Sequence, residues 1–152
     1  MLTQDIISNA IPYLHLSDTV YHALQLMNDY HVAHLPVVEE EKYLGIISEE
    51  QLLHTDDDNQ LLQDLPISDG GTAVQAGDHF LKAIQIAVQY KLSMVPVVQE
   101  KQILGIVTYT DLLRNASDFM SLNDPGALVV LEMESKNYSF AEINRIVESN
   151  DA

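Results

Sequence analysis

The chain has no cysteine, which removes disulfide bridges, thiolate metal sites and a cysteine nucleophile from consideration. Basic side chains are scarce: 7 lysines and arginines stand against 23 aspartates and glutamates, for a formal net charge of -16. A surface of that sign repels nucleic acid and anionic membranes, so neither is an expected partner. Long apolar runs are missing too. No stretch approaches the roughly 20 residues needed to cross a bilayer, and residues 1–10 lack the basic start and apolar middle of a signal peptide. The expectation is a cytoplasmic protein. There is also no Ser/His/Asp order, Walker loop, zinc motif or dinucleotide fingerprint, so no residue is assigned as catalytic and no enzyme is expected. What remains is a hydrophobic fraction of 47% in 152 residues, enough to bury a core.

That apolar content is arranged as a repeat. His34-Leu35-Pro36-Val37-Val38 reappears as Met94-Val95-Pro96-Val97-Val98, an offset of 60. The same offset relates Asp18 to Asp78, Ala23 to Ala83, Tyr30 to Tyr90, Leu44-Gly45-Ile46 to Leu104-Gly105-Ile106, and Leu52-Leu53 to Leu112-Leu113, without a gap. Within each copy, Val20, Ala23, Leu24 and Met27, or Phe80, Ala83, Ile84 and Ala87, fall at helical spacing behind Asp18 or Asp78 as N-cap. Two short β-rich runs separated by a polar turn follow, 35–38 with 43–47 and 95–98 with 103–107, which is a hairpin pattern. Ser48 and Thr108 then cap a second helix that carries Leu52 and Leu53, or Leu112 and Leu113, on its buried side. With 13–16 and 72–75 as opening strands, each half reads strand, helix, strand, strand, helix. One half has too little core to stand alone, so two are expected to pack by pseudo-twofold symmetry. The fold class is therefore α/β (α+β), two small sheets with helices.

A helix, hydrophobic-Pro-Val-Val, then Leu-Gly-Ile followed by a hydroxyl residue and Leu-Leu, twice in register, resembles the CBS family over residues 2–121. The domain reading is a first CBS repeat at 1–60, a second at 61–121, and a C-terminal extension at 122–152. The resemblance implies a non-catalytic regulatory pair, a Bateman module, that senses a small adenosyl ligand. AMP ranks first, then ADP, ATP or S-adenosylmethionine; no cofactor is required. It also implies a homodimer acting on an unknown effector protein.

In nucleotide-binding members, a Gly-x-x-Ser/Thr-x-x-Asp pattern ends the last strand and opens the last helix. A hydroxyl and the free N–H groups of a helix N-terminus face an anion there, and a carboxylate three residues on accepts ribose hydroxyls. The second repeat carries it whole, as Gly105-Ile106-Val107-Thr108-Tyr109-Thr110-Asp111. By resemblance Asp111 holds the ribose and Thr108 and Thr110 the phosphates. The base would lie between Ser68, Thr72 and Ala73 on one side and Ser93, Met94, Val95 and Pro96 on the other. The first repeat keeps Ser48 but has Glu50 for the threonine and Gln51 for the aspartate, so it reads as a degenerate site. Ser or Thr followed three residues on by an acid is also a capping box, and a ligand-free dimerisation or protein-interaction module stands as the alternative function.

His31 and His34 run from a helix end into a strand, where residues three apart do not share a face; no metal site is assigned. Asp56-Asp57-Asp58 reads as a solvated linker. After a turn at Asn123-Asp124-Pro125-Gly126, residues 127–133 read as a strand and 139–149 as a helix, with Ser139 and Glu142 as a capping box and Phe140, Ile143, Ile146 and Val147 as an apolar stripe. This strand and helix resemble the start of an ACT domain, and are expected to pack on the core, pair across a dimer, or be poorly ordered.

Overall fold

The computed structural model describes residues 1–67, 71–126, 129–132 and 140–149. They fall into two compact units, 1–119 and 120–152. The first contains β1 (Leu14–His15), α1 (Val20–Tyr30), β2 (His34–Glu39), β3 (Lys42–Ser48), α2 (Glu49–Leu53), β4 (Val74–Gln75), α3 (Phe80–Tyr90), β5 (Met94–Gln99), β6 (Gln102–Thr108) and α4 (Tyr109–Phe119). Strand order is β1-β2-β3-β6-β5-β4. Each half is a parallel pair followed by a hairpin. Leu14 pairs Val37 as Val74 pairs Val97, and Pro36 pairs Ile46 as Pro96 pairs Ile106. The halves join where Lys42 pairs Gln102.

The apolar spacing seen in the sequence becomes the core. Val20, Ala23 and Met27 of α1 and Phe80, Ala83 and Ala87 of α3 are buried, and Leu35, Val37, Val95 and Val97 meet them from the sheet. Fully burying an aliphatic or aromatic side chain contributes about 1.5–3 kcal/mol, so these faces dominate the stability of each half.

Both hairpins turn through two consecutive left-handed residues, Glu40-Glu41 and Glu100-Lys101, with φ of 49°, 69°, 50° and 71°. That conformation matches the right-handed twist of the strands but normally calls for Asn or Gly.

Two local expectations are corrected. Asp18 and Asp78 do not cap the first helices; their carboxylates turn back to accept the N–H of His15 and Gln75 at 2.8 Å, closing turns after the opening strands. The caps are Thr19, which accepts from His22, and His79, which accepts from Leu81. Leu53 and Leu113 are not buried: Leu52 and Leu112 are 1% and 3% exposed, their neighbours 66% and 72%. Successive helical residues point about 100° apart, and only one of each pair reaches the core.

The leading segments are exchanged between the halves. Residues ahead of the first repeat lie on the second: the Thr3 N–H donates to Asp78 O at 2.8 Å, its buried hydroxyl to Gln75 O at 2.6 Å, and Ser8 and Ile106 exchange two backbone bonds of 2.8 and 3.2 Å. Conversely, the residues between the repeats lie on the first. The Val20 and Tyr21 N–H groups donate to Gln60 O and Asp58 O, and Leu62 and Gln63 donate to Asp18 O and Leu16 O. Leu62, fully buried, occupies in the first half the place Thr3 occupies in the second.

In the second unit, α5 (Phe140–Ser149) forms within the expected helix. The expected strand over 127–133 is not found in its described part: residues 129–132 carry no ladder, and Val129, Val130 and Leu131 are more than half exposed. A β-rich run without a neighbouring strand has nowhere to place its backbone hydrogen bonds. Ser139, the expected cap, lies outside the described residues.

Candidate functional site

Two glycine–hydroxyl motifs end the hairpins, and each hydroxyl starts a helix. The Ser48 hydroxyl accepts the Gln51 N–H at 3.1 Å. The Thr108 hydroxyl accepts the Asp111 N–H at 3.2 Å and donates to Asp111 Oδ2 at 2.6 Å, while the Thr108 N–H donates to the same oxygen at 3.1 Å. Asp111 thus forms the reciprocal capping box with one carboxylate oxygen. The other, Oδ1, accepts no hydrogen bond among the described residues and has Arg114 Nη1 at 3.7 Å. Its side chain is 21% exposed. Thr110 is exposed one turn edge away.

Ser93 and Met94 meet this motif directly. Met94 pairs Thr108 in the β5–β6 ladder, and Ser93 O accepts the Tyr109 N–H at 3.4 Å. Val95 and Pro96 lie buried deeper in the same ladder, opposite Val107 and Ile106. Thr72 and Ala73 are drawn elsewhere: Thr72 lines a cavity with the first motif, and Ala73 lines a different one. Ser68 lies outside the described residues. The base walls expected from the sequence are therefore divided, because the segment that opens each repeat packs against the motif of the other.

The cavity at the first motif has a volume of about 540 Å³ and is walled by Ile46, Ser48, Glu50 and Gln51 with Pro66, Thr72 and the Tyr90-Lys91-Leu92 corner. That volume is ligand-sized. Gln51 Nε2 donates to Pro66 O, so the residue in the ribose position holds the crossing segment. Lys91 ends α3 in the left-handed conformation and lines the same cavity as Glu50. In the sequence Lys91 is only one of four basic residues of the second repeat, with Lys82, Lys101 and Arg114, and nothing there places it on a cavity.

His34 sits on the same wall. Its Nδ1 accepts the Ser93 N–H at 3.1 Å and lies 3.0 Å from the Ser93 hydroxyl, tying the start of β2 to the start of β5 across the pseudo-twofold relation. Burial holds its pKa below the ordinary histidine value of 6.5. Among the described residues no group of three or more histidine or acidic side chains is arranged to hold a metal ion, and no helix is long and apolar enough to cross a membrane.

An apolar groove of about 250 Å³ runs between α3 and α4, with Val88, Tyr109, Leu113 and Ala116 on its walls.

Comparison with known proteins agrees with this architecture. The CBS domain family matches residues 4–58 and 72–118. Inosine-5'-monophosphate dehydrogenase of Korarchaeum cryptofilum is 27% identical over 117 residues, 74% of this chain and 24% of that protein; the chain spans about a quarter of the length of that relative. A CBS domain pair/ACT domain protein from Thermotoga maritima superposes with a TM-score of 0.72 at 21% identity, covering 79% of this chain and 99% of that one. CBSX2, solved in complex with AMP, gives a TM-score of 0.66 at 21% identity, covering 78% and 97%. With the family matched over two stretches that together exceed half the sequence, and each stretch folded as strand, helix, hairpin and helix, the chain belongs to the CBS domain family and forms a tandem CBS pair.

Proposed function

We propose that this pair is a non-catalytic regulatory module that senses a small adenosyl ligand at the second motif. AMP is the first candidate, followed by ADP, ATP and S-adenosylmethionine. The observation that carries this reading is the second carboxylate oxygen of Asp111: Thr108 occupies only Oδ2, and Oδ1 stands at a partly exposed helix start with no hydrogen bond among the described residues and only the exposed Arg114 guanidinium at 3.7 Å, where a ribose diol donates to it. The Thr110 N–H and hydroxyl then receive a phosphate at the N-terminus of α4, and Thr108 joins them by turning its hydroxyl hydrogen from Asp111 Oδ2 to the phosphate. By the offset of 60, the walls of the first cavity correspond to Ile106 and Thr108 with the N-terminal segment and the Tyr30-His31-Val32 corner, so the base lies toward those residues and not toward Thr72. The AMP complex of a fold relative supports the ligand class.

A small-molecule site spanning segments of both repeats transmits by population shift: a ligand with different affinity for two packings of the halves biases them, by no more than that difference. The same reading makes the module a cytoplasmic homodimer, docked through the apolar α3–α4 groove, that acts on an effector not yet identified.

Titration with AMP by calorimetry tests the site. Saturable binding abolished by Asp111→Ala supports it, and binding that survives the substitution refutes the assignment. The alternative, a ligand-free dimerisation module, is favoured by one observation, that Asp111 already serves α4 as a cap; it predicts no binding by any adenosyl compound.

A further inference from the structure

A second polar cavity, of about 440 Å³, lies on the other side of the segment that opens the second repeat. Successive side chains of an extended segment point to opposite sides, and here Thr72 faces the first-motif cavity while Gly71, Ala73 and Gln75 line the second. Its remaining polar walls are Tyr43, Lys42 and Lys101. The two lysines come from different repeats and meet because β3 and β6 join at this point: Lys42 pairs Gln102, and the Tyr43 N–H donates to Lys101 O at 2.9 Å. The chain has only 7 basic residues. Lys82 and Arg114 are spent on Asp78 and Asp111, at 2.9 and 3.7 Å, whereas neither Lys42 nor Lys101 has a carboxylate within ion-pair distance among the described residues. Glu40, Glu41 and Glu100 in the neighbouring turns do not line the cavity. Two lysines without carboxylate partners on one cavity, in a molecule of net charge -16, offer an anion charge-assisted donors from both repeats.

We propose that this cavity is a second ligand site, distinct from the Asp111 motif, that takes the phosphate group of a small organic phosphate between Lys42 and Lys101. Free inorganic phosphate is much smaller than the cavity, so the body of the ligand fills the space beside Tyr43, Leu44 and Val98. The long-range field of the acidic surface does not forbid this, because exposed charges beyond about 8 Å are largely screened at physiological salt.

The test is calorimetric titration of the full chain with pyrophosphate, and separately with adenosine, which lacks phosphate. The variants are Lys42→Gln/Lys101→Gln, Lys42→Arg/Lys101→Arg and Asp111→Ala, with amide chemical-shift mapping of the wild type. Thermal melts check that each variant is folded; both lysines are exposed. The expected result is saturable pyrophosphate binding, weakened about tenfold or more by the glutamine pair, retained by the arginine pair and by Asp111→Ala, with shifts at Tyr43, Gly71 and Lys101. Adenosine binding is unchanged by the glutamine pair. Absence of saturable pyrophosphate binding at millimolar concentration, binding indifferent to the glutamine pair, or shifts confined to residues 105–111 overturns the proposal. The nucleotide reading fails separately, through loss of adenosine or AMP binding alone.

Discussion

Asp111 closes a capping box with Thr108, and caps of this kind contribute about 1 kcal/mol. Asp111→Ala is therefore expected to lower unfolding free energy by about that amount in urea titrations without ligand, and a loss several times larger contradicts a simple cap. His34 carries a pH dependence of defined sign. A backbone N–H can only donate, so the Ser93 N–H at Nδ1 requires that nitrogen to be unprotonated. Its folded pKa lies below 6.5, so the unfolded chain takes up the proton first as pH falls. The His34 contribution is complete above the unfolded pKa and is lost as pH drops below it toward the folded value. The urea midpoint should fall between about pH 7.5 and about pH 5.5 more steeply in wild type than in His34→Gln; equal slopes would remove His34 from the account. At this scale the hydroxyl caps were legible, since Ser48 and Thr108 start helices wherever they precede one. Asp18 and Asp78 were not, because a carboxylate before a helix serves equally as a cap or as a turn acceptor, and only the position of the preceding strand decides.

Among the elements, the N-terminal segment holds β6 through Ser8, and the fit is close at Gly105. A Cβ there would stand 2.1 Å from Ile7 Cγ2 and 2.9 Å from Asn9 Oδ1. Gly105→Ala is expected to push residues 7–9 off the strand and to cost about 1–3 kcal/mol, the usual range for overpacking. Faster amide exchange at Ser8 and Ile106 would report the displacement, and unchanged protection there would contradict it. The repeat made the helices and hairpins visible, since their apolar periods are carried by side chains. The exchange of leading segments left no such trace: it is built mainly from backbone hydrogen bonds, to which any residue contributes. The turns at Glu40-Glu41 and Glu100-Lys101 lack the usual glycine signal, so their left-handed pairs could be found only in the structure. The run at 127–133 has strand composition, yet 129–132 has no ladder, because composition does not supply a neighbour.

For the whole molecule, the offset of 60 implied two similar halves, each with its own small sheet, and the fold keeps the halves but joins their strands into one six-stranded order where Lys42 pairs Gln102. What it did not reveal is which opening segment faces which motif, and that decided where Thr72 and Ala73 lie. The α3–α4 groove, with Val88 and Leu113 about 70% exposed, is the proposed dimer face. Leu113→Asp should leave stability within about 0.5 kcal/mol, as for other exposed positions, while converting a dimer to a monomer by light scattering; a variant that stays dimeric places the interface elsewhere. The central claim is adenosyl sensing by the second motif, and it is tested most directly by the thermal shift of wild type and Asp111→Ala with AMP. At 100 times its dissociation constant a ligand stabilises by about 2.7 kcal/mol. The account predicts a rise of several degrees in wild type and none in the variant; equal shifts in both, or no shift in wild type with any adenosyl compound, would contradict it.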